Sequence, residues 1–127
     1  MAIRTELSLR LQNSPGSLSR ICQLFSDVRI SSLALTVEAG GIFRAVVDNH
    51  VLAAGTLREQ HYEVTERDVL YIEIPNNPGA FARVLRLLSD SGVNLEHVYG
   101  SAIDDQSTAA VVVGVEDVQR AAAAAGV

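Results

Sequence analysis

The motif Asn-x-Pro-Gly occurs twice in this chain, as NSPGSLSRI from Asn13 to Ile21 and as NNPGAFARV from Asn76 to Val84. Pro15 and Pro78 stand 63 residues apart, and so do Gly16 and Gly79. A duplication constrains the fold before any single residue is interpreted, because the chain must contain two copies of one supersecondary unit. With 127 residues in all, each copy has about 60, which is marginal for an isolated domain. Two small units are therefore expected, residues 1–67 and residues 68–127.

The repeat extends beyond the motif. Leu7, Leu9 and Leu11 alternate with Glu6, Ser8, Arg10 and Gln12, the period of a half-buried strand. Their counterparts Leu70, Ile72 and Ile74 alternate with Tyr71 and Glu73. After each Pro-Gly the period becomes helical. Leu18, Ile21, Cys22 and Phe25 recur at i, i+3, i+4 and i+7, and Phe81, Val84, Leu85 and Leu88 repeat them. Second strands are expected over 30–37 and 93–99, with Gly92 as a helix stop. Turns follow at Gly40-Gly41 and Asp104-Asp105. Third strands are expected over 42–47 and 108–113, where runs of Ala and Val suit a central strand buried on both faces. Second helices are expected over 50–57 and 116–125. The first half closes with a strand near 62–65, and the second stops at Gly126-Val127 where its last strand should begin.

Each half thus reads β-α-β-β-α-β, an α+β ferredoxin-like unit with two helices on one face of an antiparallel sheet in strand order 4-1-3-2. The second half lacks its last strand, which leaves the strand starting near Val69 as an uncovered edge. A partner chain over that edge and a truncated or disordered tail are the two explanations.

Here the sequence resembles the ACT-domain family. The strand, N-x-P-G-x-[LF]-x-x-[IV] and helix, followed by a strand opening with Val93-Asn94-Leu95, carry the resemblance in two copies over nearly the whole chain. It implies a tandem of amino-acid-binding regulatory modules with no attached enzyme. The first loop of one module would face the second strand of a neighbour, with ligand in the seam. Module pairs would form an eight-stranded sheet. Three departures point to unequal seams: Ser31 stands at the place of Asn94, Arg29 at the place of Gly92, and the final strand is missing.

The loop chemistry suits such a ligand. A helix N-terminus offers unpaired N–H groups and partial positive charge to a carboxylate. Pro15 and Pro78 would fix φ in the first helical turn. Gly16 and Gly79 would admit a ligand close to the backbone. Candidate contacts are Asn13, Ser14, Gly16, Ser17 and Leu18 in the first loop, and Asn76, Asn77, Gly79, Ala80 and Phe81 in the second. Ser31, Ser32, Asn94 and Leu95 are the candidates at the second strands, with Asn side chains or strand carbonyls accepting from the ammonium. The same Asn and Ser residues before proline also suit a plain helix cap.

Other chemistry finds little support. His50, His61 and His97 lack zinc-site spacing, and no metal or cofactor is expected. Cys22, the one cysteine, reads as a buried structural thiol on the apolar helix face. Asp104 and Asp105 read as a turn. A net charge of −5 argues against nucleic acid. The segment opening at Met1 has no long apolar run, so no signal peptide and no membrane span are expected, and the cytoplasm is the expected compartment. No nucleophile–base pair or phosphate-binding glycine loop is evident, so an enzyme is not expected. The leading reading is a non-catalytic amino-acid sensor, expected to form a homodimer and to act on a metabolic enzyme. The alternative is a dimerisation module without a small ligand.

Overall fold

A computed structural model describes residues 2–124. Its elements are β1 (Ala2–Arg10), α1 (Ser17–Asp27), β2 (Ser32–Val37), β3 (Ile42–Val47), α2 (His50–Glu59), β4 (Thr65–Pro75), α3 (Ala80–Asp90), β5 (Leu95–Ala102), β6 (Thr108–Val115) and α4 (Val118–Ala124). The fold is α+β with antiparallel strand pairing, as the repeat predicts. The chain divides into two compact units. One is Thr5–Arg67; the other consists of the described residues of Met1–Arg4 and Asp68–Val127. The expected end of the second helix at Ala125, and Gly126-Val127, lie outside the described residues.

In the first unit β3 lies between β2 and β1. Leu7 and Leu9 of β1 and Phe43, Ala45 and Val47 of β3 face Ile21 and Phe25 of α1 and Ala53, Ala54 and Leu57 of α2. The residues form helices for plain reasons. The α1 stripe carries no β-branched run beyond Ile21, and Asn49 caps α2 by accepting the Leu52 N–H at 3.1 Å. The second unit repeats this with β6 between β4 and β5. Leu70, Ile72 and Ile74 pack with Ala80, Val84, Leu88, Ala121 and Ala122, and Asp117 accepts the Arg120 N–H at 3.0 Å at the start of α4. The Ala/Val runs are buried on both faces as expected: Ala45, Val46 and Val47 in β3, and Val111 to Val115 without Gly114's side chain in β6.

Four expectations need correction. First, the strand expected near 62–65 begins only at Thr65 and continues without a break into the first strand of the second half, so β4 is one strand of 11 residues. Second, the edge near Val69 is covered. The start of β1 is assigned to the second unit and neighbours β4 in the sheet. Ile3 packs on that unit's core, and the Arg4 guanidinium lies 5.2 Å from the Tyr71 ring centroid. Third, Cys22 is exposed. The apolar face of α1 continues through Leu24 and Val28, and Cys22 is turned about 100° from Ile21, on the side away from both of them. Fourth, the repeat spacing changes along the chain. Leu35 of β2 corresponds to Val98 of β5, 63 residues on, but their partners Ala45 and Val113 are 68 residues apart. The second β-hairpin is therefore five residues longer than the first.

The difference between Arg29 and Gly92 proves to be one of residue type alone. Both follow a helix end and both adopt left-handed backbone, Arg29 at φ 60° and Gly92 at φ 75°. Arg29 carries a strain that glycine avoids, about 1–2 kcal/mol before the entropy of glycine is set against it. Arg29→Gly is expected to raise stability by about 0.5–1 kcal/mol, measurable as a higher midpoint in urea.

Candidate functional site

Each Pro-Gly forms a turn ahead of its helix and stands outside it. Gly16 has φ 84° and ψ −1°, and Gly79 has φ 87° and ψ −7°. These values fit the third position of a type II turn, with Pro15 and Pro78 at the second. The Ser17 N–H reaches the Ser14 carbonyl at 3.4 Å, and the Ala80 N–H reaches the Asn77 carbonyl at 3.3 Å. The prolines are thus turn residues, two places ahead of the first helical residues Ser17 and Ala80. No side chain caps either helix, so the plain-cap role of the Asn and Ser residues is not realised.

This geometry leaves helix donors open. The first N–H taken up by a helical carbonyl is that of Arg20 in α1, bonded to Gly16 at 2.9 Å, and that of Arg83 in α3, bonded to Gly79 at 3.0 Å. The N–H groups of Leu18 and Ser19, and of Phe81 and Ala82, have no backbone acceptor among the described residues. Space lies beside both turns, because nothing comes within 4 Å of where a Cβ on Gly16 or Gly79 would sit.

The two loops then diverge. In the first unit a cavity of about 590 Å³ is lined by Leu11, Gln12, Asn13, Ser14, Gly16, Ser17, Leu18 and Ser19 together with Gly40 and Gly41. The Ser17 hydroxyl donates to the Gln12 carbonyl at 2.8 Å and lies 3.0 Å from both the Ser14 carbonyl and the Ser14 hydroxyl. It braces the loop. Asn13 is exposed and is among the residues that line the cavity.

In the second unit the longer hairpin reaches its loop. Asn76 Nδ2 donates to the carbonyls of Ile103 at 2.9 Å and Gln106 at 3.0 Å, and the Asn76 N–H donates to Ser107 at 3.0 Å. Both amide hydrogens of Asn76 are thereby spent inside the unit. Asn77 Oδ1 lies 3.4 Å from an Arg83 nitrogen, Ala80 is buried, and Phe81 lies over the backbone of Gly100. Asn76→Ala is expected to cost about 1–3 kcal/mol. Asn13→Ala is expected to stay within about 0.5 kcal/mol, both read from urea unfolding.

The second-strand candidates sit elsewhere. In the first unit Arg10 pairs with Ile42 beside the loop, whereas Ser32 pairs with Val47. Five residue steps along β3 separate those pairs, about 17 Å. Ser31 belongs to the same far end, its N–H donating to Asp48 Oδ1 at 3.0 Å. Asn94 likewise lies away from its own loop, in a cavity of about 300 Å³ with Gly92, Val93, Glu116, Asp117 and Arg120, and Leu95 packs on the core. The structure therefore brings together Asn13, Ser14, Gly16, Ser17 and Leu18, and separately Asn76, Asn77, Gly79, Ala80 and Phe81. Neither group includes the second-strand residues of its own unit. Sequence reasoning missed Leu11, Gln12, Ser19, Gly40 and Gly41. The Gly-Gly pair was the available signal, since a turn without side chains leaves room beside it.

Comparison with known proteins places this geometry. The sequence model for the ACT domain pair matches residues 1–123. A protein from Bacteroides thetaiotaomicron, BT0572, is 30% identical, with 96% of this chain and 85% of that chain covered and a TM-score of 0.87. The ligand-free regulatory subunit of aspartate kinase from Thermus thermophilus is 17% identical, covering 98% and 92% with a TM-score of 0.71. A putative C-terminal regulatory domain of aspartate kinase from Porphyromonas gingivalis is 19% identical, covering 98% and 92% with a TM-score of 0.68. At those identities the two regulatory chains share the fold with this chain. No curated protein matches the sequence. With the family match spanning both repeats and both Pro-Gly turns, this chain belongs to the family of ACT domain pairs.

Proposed function

We propose that this protein is a non-catalytic regulatory module that binds an amino acid or a similar small ligand at an ACT seam, chiefly through the loop of the first unit. The observation that carries the reading is the cavity of about 590 Å³ at the Ser14–Ser17 turn. It combines open helix N–H groups for a carboxylate, the Asn13 side chain for an ammonium and a glycine turn that leaves room for both. The loop of the second unit is the lesser candidate, because its hairpin holds Asn76 Nδ2 and so fixes that side chain in place. Ser31, Ser32, Asn94 and Leu95 would complete a site only when they come from a module other than the one that supplies the loop. A homodimer is the simplest way to supply it. The regulatory domains of aspartate kinases that share the fold support a regulatory role, with a metabolic enzyme as the regulated partner. Among the described residues no helix is long and apolar enough to cross a membrane; a cytoplasmic setting is part of the proposal.

Ligand would act by favouring one arrangement of modules over another, which requires different affinity for the two. A thermal-shift panel of the twenty amino acids tests this. At a hundred times its Kd a ligand adds about 2.7 kcal/mol, a rise of roughly 10 °C for a chain of this size. No rise with any of them at millimolar concentration contradicts the proposal.

A dimerisation module without ligand is the second reading. The covered edge of β4 lends it no support. What favours it is the outer strand of each unit, where Leu35 and Val37 of β2 and Val98 of β5 are each more than 40% exposed. It predicts a concentration-dependent dimer whose sedimentation ignores amino acids; association that changes with an amino acid excludes it.

A further inference from the structure

The first unit holds a second cavity, of about 570 Å³, lined by Arg10, Gln12, Arg20, Gln60, His61, Tyr62 and Glu63. It lies where the end of β1, the outer side of α1 and the segment between α2 and β4 meet, and of these residues only Gln12 is shared with the loop cavity. In a chain of net charge −5 the lining residues sum to a positive charge, with two arginines against one glutamate. Neither Arg10 nor Arg20 has a carboxylate partner among the described residues. Arg10 donates one N–H to the Gly40 carbonyl at 3.0 Å, and Arg20 reaches Gln60 Oε1 at 3.4 Å. Each guanidinium carries five N–H donors, so most remain for a ligand.

The corresponding place in the second unit is different. Arg10 corresponds to Glu73 and Gln12 to Pro75, while Arg20 is kept as Arg83. One donor side chain has reversed its charge and another has been lost. Among the described residues, the pairing of two arginines at this place occurs in the first unit and not in the second.

We propose that this cavity is a binding site for a multiply charged oxyanion, the phosphate or polycarboxylate group of a small metabolite. Arg10 and Arg20 supply charge-assisted donors. Gln12, Gln60 and the Tyr62 hydroxyl supply neutral ones. Glu63 at the same cavity opposes the anion and sets an upper limit on affinity. The site adjoins the amino-acid site proposed above: a cavity of about 120 Å³ has Ser14, Gly16 and Ser17 of that loop and Arg20 and Tyr62 of this site in its lining.

Titration calorimetry of the full chain with inorganic phosphate, pyrophosphate and citrate, each at an ionic strength matched with sodium chloride, tests the proposal. Saturable binding of at least one of them is expected. Preference for pyrophosphate identifies a phosphate ligand, and preference for citrate a polycarboxylate. Arg10→Glu, which installs the residue of the second unit, is expected to weaken binding roughly tenfold or more, and Arg20→Ala likewise. Glu63→Gln is expected to tighten it severalfold. Arg20 is exposed on α1, so its variant reports even if Arg10→Glu fails to fold. No saturable binding of any of the three anions beyond the chloride control, or binding unchanged in Arg20→Ala, overturns the proposal.

Discussion

Phe25→Ala is expected to lower the free energy of unfolding by about 3–5 kcal/mol, and Leu88→Ala by about 2–5 kcal/mol. The two side chains are 2% and 0% exposed. They occupy corresponding places 63 residues apart, each on the first helix of its unit and against the sheet. Truncation removes apolar contact and leaves a cavity that rigid surroundings fill only in part. Against a total stability of about 5–15 kcal/mol for a small protein, either loss is a large fraction. Cys22→Ala is the control. It lies three residues from Phe25 in the same helix but is exposed, so its cost should stay within about 0.5 kcal/mol. Urea unfolding of the three variants decides the matter. A Cys22→Ala cost equal to that of Phe25→Ala would contradict the assigned helix face.

Gly16→Val is expected to abolish the thermal response to an amino-acid ligand, whereas Gly79→Val is expected to keep most of it. Both substitutions place a β-branched residue at positive φ, near 84° in one case and 87° in the other. Each should therefore cost about 1–2 kcal/mol of stability. The backbone strain is the same, so the two variants differ only in the surroundings the new side chain enters. At Gly16 that side chain enters the space beside the cavity shared with Gly40 and Gly41. At Gly79 it enters space beside a loop whose Asn76 is already bound to its hairpin. Loss of the ligand response in both variants alike would mean that the loops contribute equally.

The duplication and the helix-sheet pattern were legible because they rest on phase. Leu7, Leu9, Ile21 and Phe25 keep the spacing of Leu70, Ile72, Val84 and Leu88, and the periods of 2 and 3.6 assign each to a strand or a helix. The length of the second hairpin was not legible. Its strand reads Ala109-Ala110-Val111-Val112-Val113, an apolar run with no alternation, so sliding it by several residues changes nothing visible in the sequence. Only the pairing of Val98 with Val113 fixes the register. That register decides the fate of the two motif asparagines. Asn76 meets the longer hairpin and Asn13 faces an opening, although the motif around them is the same. The Pro-Gly was read as the start of a helix because proline suits that place. The glycine at positive φ instead makes the pair a turn, which places the open N–H groups two residues further along. Cys22 was misplaced for a related reason: a four-residue stripe gives a face but not its centre, and Leu24 and Val28 move that centre away from the thiol.

An amide-shift titration by NMR, run with each amino acid that raises the melting temperature, tests the central claim most directly. The account predicts saturable shifts at the backbone amides of Leu18, Ser19, Gly40 and Gly41, around the cavity of the first loop, and much smaller ones at Phe81 and Ala82. Shifts confined to the second loop, or no saturable shift at the first loop with any of the twenty amino acids at millimolar concentration, would contradict it.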